Sequence, residues 1–482
     1  MERVAIIGLG ISGSGVLRAY QKIKSQNPAL EIDIHAYDIN ERIGKGIPFS
    51  EDYLGALINS RSYEISFDYE NMDEYYHWLQ NNPDYQPDDY TARSWYGEYN
   101  LEKTNELIHS LQVTVHHKMV ETLDYRKGQW VIEDANGQLN TFDRVHLCCG
   151  ELPVIDHYQL LGQKQYIHNP YPLTKIKDKF TEQDHVAVIG TGLTSIDMIK
   201  YLIHETSVEK IFVFSKSGYF PTVRGDDQVP EFHYLTEAKM NQLIKQRSGY
   251  LYFEDFQELL LNEMKHFGFN LDEIVVRYFA TGVRGLHLTI AKAERVGKLQ
   301  AIALQVTNLL TTGWRAMRQS DREQYAAKYH KLIVKLRNPV PPSSAKEIIE
   351  AVNQERVIIF DEVSDIETID NDGFALVLEN PDHQKVDWVI NTTGMVLKNQ
   401  ADLTEDSLLY HLVNNEYVQI DDFGGLSINI ETGNIISPKF GEISSLHAHG
   451  MLIEGVVYQN NSTIKIQEFS ERLLRRIYFN KN

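Results

Sequence analysis

The chain is poor in cysteine, in positive charge and in long apolar runs, and each shortage removes a class of behaviour. Only two cysteines occur in 482 residues, Cys148 and Cys149, and they are adjacent. Neighbouring residues in extended backbone rarely bridge, so neither a disulfide framework nor a relay between separated thiols is expected. Two buried thiols of this kind suit a reducing, cytoplasmic compartment. With 47 Lys and Arg against 67 Asp and Glu, the net charge of −20 opposes nucleic acid and anionic membrane as partners. No apolar run reaches the length of a membrane span, and Met1-Glu2-Arg3 leads straight into a strand without the features of an export signal. The expectation is a soluble, cytoplasmic protein with a small-molecule partner and no metal site; oligomeric state stays open.

What the chain does have is two glycine-rich turns, each between a short apolar strand and a helix. The first is Gly8-Leu9-Gly10-Ile11-Ser12-Gly13 and the second Gly190-Thr191-Gly192-Leu193-Thr194-Ser195. In such a turn the first glycine permits the tight bend and the second lets backbone approach a pyrophosphate. The third small residue lets helix pack on strand, with the anion at the helix N-terminus. Two turns imply two dinucleotides, and the common reason to bring two together is electron transfer from a nicotinamide to a flavin.

Residues 3–7 read as a buried parallel strand, 11–24 as an amphipathic helix and 32–37 as a second strand ending in Asp38. An acid at that place bonds the adenosine ribose, so Asp38 is the expected ribose ligand. Residues 113–147 alternate short strands with turn signals, as a small antiparallel insertion would, and end in a strand from Arg144 to Cys148. After a linker at Pro170-Tyr171-Pro172 the plan repeats: strand 185–189, glycine turn, helix 195–203, strand 211–215. Here Ser215-Lys216-Ser217-Gly218 follows in place of an acid, and a cation suits the extra phosphate of NADPH better than NADH. From Glu237 to Arg337 the pattern is helical, with Val296, Leu299, Ile302, Val306 and Leu309 on one stripe, and Pro339, Pro341 and Pro342 end it. The predicted fold is α/β, with two Rossmann-like dinucleotide-binding domains, for FAD and NAD(P)H, and two insertions, one small antiparallel β and one helical. Predicted boundaries are 1–170 and 345–482 for the FAD domain, 171–235 for the first part of the NAD(P)H domain and 236–344 for the helical insert. Return strands of the nucleotide domains fall in 345–395.

Further segments carry a resemblance. Cys148-Cys149-Gly150 and Thr392-Thr393-Gly394 stand where two-dinucleotide flavoproteins cross between domains. The stretches Glu41 to Ser50, Leu57-Ile58-Asn59, Tyr75 to Leu79, Arg93 to Tyr99, Ser215 to Gly225, Phe440-Gly441-Glu442 and Gly450 to Gln467 resemble the bacterial FAD/NAD(P)-binding family that includes flavin-dependent urate hydroxylase-like proteins. The resemblance implies that Gly8, Gly10, Ile11, Ser12 and Gly13 hold the FAD pyrophosphate and Asp38 the ribose. It puts Gly44, Gly46, Ile47, Pro48 and Phe49 on the flavin side and Asn59, Arg93 and Tyr96 near flavin or substrate. Val120, Gly150, Gly394, Gly441 and Glu442 join the cofactor set, the last two closing over the flavin from the C-terminal side. For the nicotinamide cofactor it implies Gly190, Thr191, Gly192, Leu193, Thr194 and Ser195, with Ser215 and Lys216 toward the ribose. His168 lies on the inter-domain crossing, but Gly162 precedes it by six residues where the histidine fingerprint of Baeyer-Villiger and amine-oxidising enzymes needs four. A linker or capping histidine is the expected role.

The implied activity is that of an FAD-dependent, NAD(P)H-using oxidoreductase: NADPH reduces FAD, and the flavin reacts with O2 to form a peroxyflavin that hydroxylates a small molecule. The cofactor carries the hard step, so no catalytic side chain is assigned. Three other readings stand beside it: a reductase or dehydrogenase with an organic acceptor, a cofactor-binding regulator without turnover, and an opine-like dehydrogenase with nicotinamide at both turns.

Overall fold

Buried, continuous apolar strands set the architecture. The computed structural model describes residues 1–228, 230–360, 363–369, 373–378 and 383–479. The chain opens with β1 (Glu2–Ile7), α1 (Ile11–Gln26) and β2 (Ile32–Tyr37), and Val4, Ala5 and Ile6 have no exposed surface. Then follow α2 (Glu74–Asn81), α3 (Arg93–Leu111) and β3 (Thr114–His116). A three-stranded antiparallel sheet comes next, β4 (Val120–Arg126), β5 (Gln129–Asp134) and β6 (Leu139–Phe142), and the chain returns through β7 (Arg144–Leu147).

A second nucleotide unit follows: β8 (Tyr166–Ile167), β9 (His185–Ile189), α4 (Leu193–Glu205) and β10 (Lys210–Phe214). The helical insert comprises α5 (Glu237–Gln246), α6 (Phe253–His266), α7 (Leu271–Tyr278), α8 (Gly282–Ala291), α9 (Ala293–Ala316), α10 (Gln319–Tyr325), α11 (Lys331–Arg337) and α12 (Pro342–Asn353). The predicted stripe from Val296 to Leu309 lies on α9 and is buried throughout, so it builds core. Strand β11 (Val357–Phe360) resumes the sheet, β12 (Val363–Thr368), β13 (Phe374–Leu378) and β14 (His383–Val386) form another antiparallel sheet, and β15 (Trp388–Asn391) ends the unit. The chain then runs through α13 (Leu408–Asn414), β16 (Ile428–Asn429), β17 (Asn434–Ser437), β18 (Gly441–Ala448) and α14 (Thr463–Phe479).

Two compact units result. Unit 1 is Met1–Leu54, Ser60–Pro153 and Met395–Asn482; unit 2 is Gly55–Asn59 and Val154–Gly394. The sheet of unit 1 runs β16-β17-β18-β7-β1-β2-β3, with β18, β7, β1, β2 and β3 parallel. That of unit 2 runs β11-β10-β9-β15-β8, all parallel. Both place the strand that enters the glycine turn centrally, as a nucleotide-binding fold does.

The boundaries differ from the sequence expectation. The first crossing is after Pro153 and not at 170, because β8 pairs with β15 in the second sheet. Unit 1 resumes at Met395 and not at 345, because β11 and β15 belong to the second sheet. The proline cluster does not end the helices: Pro342 takes the first turn of α12, where its missing N–H costs nothing. The β12–β14 sheet was not foreseen as a second insertion; Val363, Ile366, Phe374, Leu376 and Val386 share a core with Ala187, Phe212 and Phe214 of the parallel sheet.

Candidate functional site

In unit 1 the first glycine turn is packed too closely for side chains. Gly8 has φ +93, and a Cβ there would lie 2.7 Å from the Cys148 carbonyl at the end of β7. A Cβ on Gly10 would come within 2.9 Å of the Gly46 Cα, because the loop after β2 folds back on the turn. That fold-back is fixed by the Gly44 N–H donating to the Leu9 carbonyl at 2.7 Å and by Asn100 Nδ2 donating to the Gly44 carbonyl. Ile11, Ser12 and Gly13 form the first turn of α1.

Asp38 follows β2 and is buried. Its Oδ2 accepts from the Leu9 N–H at 2.6 Å and its Oδ1 from the Ile39 N–H at 2.9 Å, so the carboxylate is moored to the turn it was expected to serve. Burial raises its pKa above the ordinary value although these N–H groups favour the charged form. The Asp38 N–H donates to the His116 carbonyl at 3.2 Å, so the end of β3, four residues before Val120, lies beside the acid. Val120 opens β4 and is buried.

Ile47, Pro48 and Phe49 complete the returning loop, and the Phe49 ring packs 5.0 Å from that of Tyr96. Tyr96 is fully buried among Tyr75 and Tyr99 as well, so it belongs to the aromatic packing beneath the loop. Arg93 opens α3. The segment of Asn59, Gly55–Asn59, groups with unit 2, where the buried Lys200 Nζ donates to the Gly55 carbonyl at 2.9 Å and to Ser344 Oγ at 3.0 Å. Gly150 is exposed, and a Cβ on it would meet nothing within 4 Å.

Gly441 and Glu442 also stand elsewhere. They begin β18, whose far end, Leu446–Ala448, pairs with β7 beside the glycine turn. Six residues, including the bulge between Ile443 and His447, separate the two ends. Glu442 instead accepts hydrogen bonds from Asn429 at 2.9 Å and Asn434 at 2.8 Å, tying β18 to its hairpin partners. The residue that meets the turn is Gly450, just past β18: a Cβ there would collide with Ser12 Oγ. Beyond it Asn460 Nδ2 donates to the Gly450 carbonyl at 2.9 Å, while Asn460 Oδ1, Gln459 Oε1 and Ser94 Oγ are buried without a hydrogen-bond partner. The available signal for Gly450, Gln459 and Asn460 was the family-like stretch Gly450 to Gln467 that contains them.

The fit to FAD can be judged from these groups. A close-packed glycine turn at a helix N-terminus, a buried acid at the end of β2, and buried polar atoms left unsatisfied are what a bound dinucleotide would complete.

Unit 2 repeats the turn. Gly190 has φ +120 and abuts Thr392, whose Oγ1 donates to the Ile189 carbonyl at 2.7 Å. Gly192 caps α4, Leu193 and Thr194 begin it, and Ser195 Oγ donates back to the Gly190 carbonyl at 2.6 Å. A Cβ on Gly192 or Gly394 would meet nothing within 4 Å, leaving open space at both. Thr191 Oγ1 lies 2.9 Å from Ser215 Oγ and donates to the Tyr219 carbonyl at 2.7 Å. Ser215 is thereby brought to the turn, and Lys216 is exposed just beyond it.

Cys148 and Cys149 are free, and burial pushes both up, Cys149 to about 12. Among the described residues there is no cluster of His, Cys, Asp and Glu that could hold a metal ion, and no helix is long and apolar enough to cross a membrane.

No curated protein sequence matches the chain. Among solved structures, ornithine hydroxylase from Pseudomonas aeruginosa is similar over 99% of this chain and 98% of its own, at 13% identity and a TM-score of 0.56. The ornithine N-hydroxylase of Kutzneria sp. 744, solved with reduced FAD, NADP+ and L-ornithine, is similar over 100% of both chains, at 11% identity and a TM-score of 0.59. The bacillithiol disulfide reductase of Staphylococcus aureus is similar over 100% of both, at 11% identity and 0.52. Residues 5–152 match the FAD-NAD(P)-binding family model, and the chain as a whole has the fold of the two-dinucleotide flavoproteins.

Proposed function

We propose that the protein is an FAD-dependent, NADPH-using monooxygenase that hydroxylates a small molecule. The observation that carries the reading is the turn of unit 1, with its moored Asp38 and the unsatisfied Oδ1 of Asn460, whose Nδ2 holds the Gly450 carbonyl, paired with a second glycine turn in unit 2. Bound FAD would accept two electrons from the nicotinamide and pass them to dioxygen, one oxygen atom going to substrate and one to water.

The chain's own residues bind, orient and exclude water. Gly10, Ile11, Ser12 and Gly13 present backbone N–H groups and the N-terminus of α1 to the pyrophosphate, while Gly8, whose own N–H donates to the Tyr37 carbonyl at 2.9 Å, permits the bend. Asp38 takes the ribose hydroxyls, and Gly44 to Phe49 with Gly450 wall the turn. In unit 2, Gly190 to Ser195 hold the second pyrophosphate, and Ser215 and Lys216 face its ribose end. The free thiols suit a cytoplasmic location. Amines are the substrate class to try first, because the similar structures include ornithine hydroxylases.

The test is the visible spectrum of the purified protein before and after anaerobic NADPH, followed by oxygen uptake with a panel of amines. Flavin bands that bleach, and uptake that gives hydroxylated product, support the proposal. Absence of bands after FAD is added overturns it. A second reading, a reductase of an organic acceptor, is favoured by the likeness to the disulfide reductase. NADPH consumption that continues without oxygen when the acceptor is supplied would select it, and the adjacent Cys148 and Cys149, whose thiols burial pushes up, offer no separated dithiol relay for that acceptor.

A further inference from the structure

Beside Tyr219, whose carbonyl meets the second glycine turn, sits a cation that no carboxylate balances among the described residues. Lys335 on α11 is half-buried, with its Nζ 3.8 Å from the centroid of the Tyr219 ring. Among the described residues no carboxylate pairs with it; the charge acting on it is that of Lys331, one helical turn away. Burial and Lys331 together push its ammonium down to about 8. An uncompensated cation in a partly dry place is unfavourable unless an anion arrives.

The position says which anion. Thr191, inside the glycine turn, bonds both Ser215 at the end of β10 and the Tyr219 carbonyl, so Tyr219 stands at the ribose end of the second dinucleotide site. The Gly282 N–H of α8 donates to the Gly218 carbonyl at 2.8 Å and holds the 215–218 turn from another side. Lys216 projects from that turn. We infer that Lys335 is a specificity-determining residue: it pairs with the 2′-phosphate of NADPH, with Lys216 on the same anion, and selects NADPH over NADH. The inference rests on the assignment of unit 2 as the nicotinamide site. It adds a residue contributed by the helical insert, which strand-turn-helix pattern reading does not reach.

The experiment uses two probes that differ only in the 2′-phosphate, 2′,5′-ADP and 5′-AMP, titrated calorimetrically into the full-length wild type, Lys335→Met and Lys335→Arg. Wild type should prefer 2′,5′-ADP. Lys335→Met should bind it about 10- to 100-fold more weakly, as expected for one charge-assisted bond, while 5′-AMP binding stays within about twofold. Lys335→Arg should restore most of the preference. Unchanged 2′,5′-ADP binding in a folded Lys335→Met overturns the inference, as does an equal loss of both probes. Anaerobic bleaching of the wild type by NADPH tests the underlying assignment independently, so the two can fail separately.

Discussion

Asp38 Oδ2 accepts a 2.6 Å hydrogen bond from the Leu9 N–H, so the acid at the end of β2 shapes the turn as well as being the proposed ribose ligand. Asp38→Ala removes both roles. A lost hydrogen bond to a charged group is worth about 1.5–3 kcal/mol, so FAD affinity should fall roughly tenfold or more and the apoprotein should melt earlier. Fluorescence titration of the apoprotein with FAD and a thermal melt measure the two effects, and an unchanged FAD affinity would remove Asp38 from the ribose site.

The two glycine turns should respond differently to a methyl group. Gly10→Ala must push against the Gly46 backbone, whereas Gly192→Ala enters open space. The first should lose bound flavin and cost about 1–3 kcal/mol through overpacking. The second should fold with wild-type stability and impair only nicotinamide binding. Flavin content after gel filtration and urea midpoints distinguish these outcomes.

Acid should destabilise unit 1 through its buried histidines. Tyr20 Oη meets His146 Nε2 at 2.9 Å, His146 Nδ1 meets His449 Nε2 at 3.0 Å, and His449 Nδ1 meets Ser470 Oγ at 3.0 Å. Burial holds His449 down to about 3 and His146 and His447 well below the ordinary value. These groups bind protons more readily unfolded, so their contribution is complete above about pH 6.5 and is lost as pH falls toward 3, at about 1.4 kcal/mol per unit for each group titrating. Urea midpoints should drop between pH 7 and pH 5, and His449→Gln should shrink that drop. An equal drop in the variant would count against this origin.

Glu263 of α6 is fully buried and accepts from the backbone N–H groups of His233, Tyr234 and Leu235. Glu263→Gln leaves one side of that cradle facing a donor, and a loss of about 2–3 kcal/mol is expected. Urea unfolding reads it. Released protection of the 233–235 amides in hydrogen exchange would locate the loss, and unchanged exchange there would contradict the assignment.

Both dinucleotide turns were legible because each is a local signal: apolar strand, glycines, helix, in order. Asp38 and Ser215 could be read for the same reason, since a fixed strand length carries them to the turn. Gly441 and Glu442 went astray, and the grouping of 55–59 with unit 2 was not legible, because these places depend on contacts distant in sequence. Lys200 draws 55–59 into unit 2, and β18 runs its full length before Gly450 reaches Ser12. The β12–β14 sheet escaped because Val363, Ile366 and Phe374 read as ordinary strand apolars until the core they share with Phe212 is known. Lys335 escaped because a lone lysine in a helical run has no pattern.

The placement of β18 bears on the order in which the protein is made. Unit 2 is complete once Gly394 has been synthesised, whereas the sheet of unit 1 leaves β7 without its outer neighbour until residues 441–448 arrive. The half built from the first residues is therefore the last to close. During translation it carries a bare strand edge through the synthesis of the whole of unit 2, an interval in which pairing with another nascent chain competes with native closure.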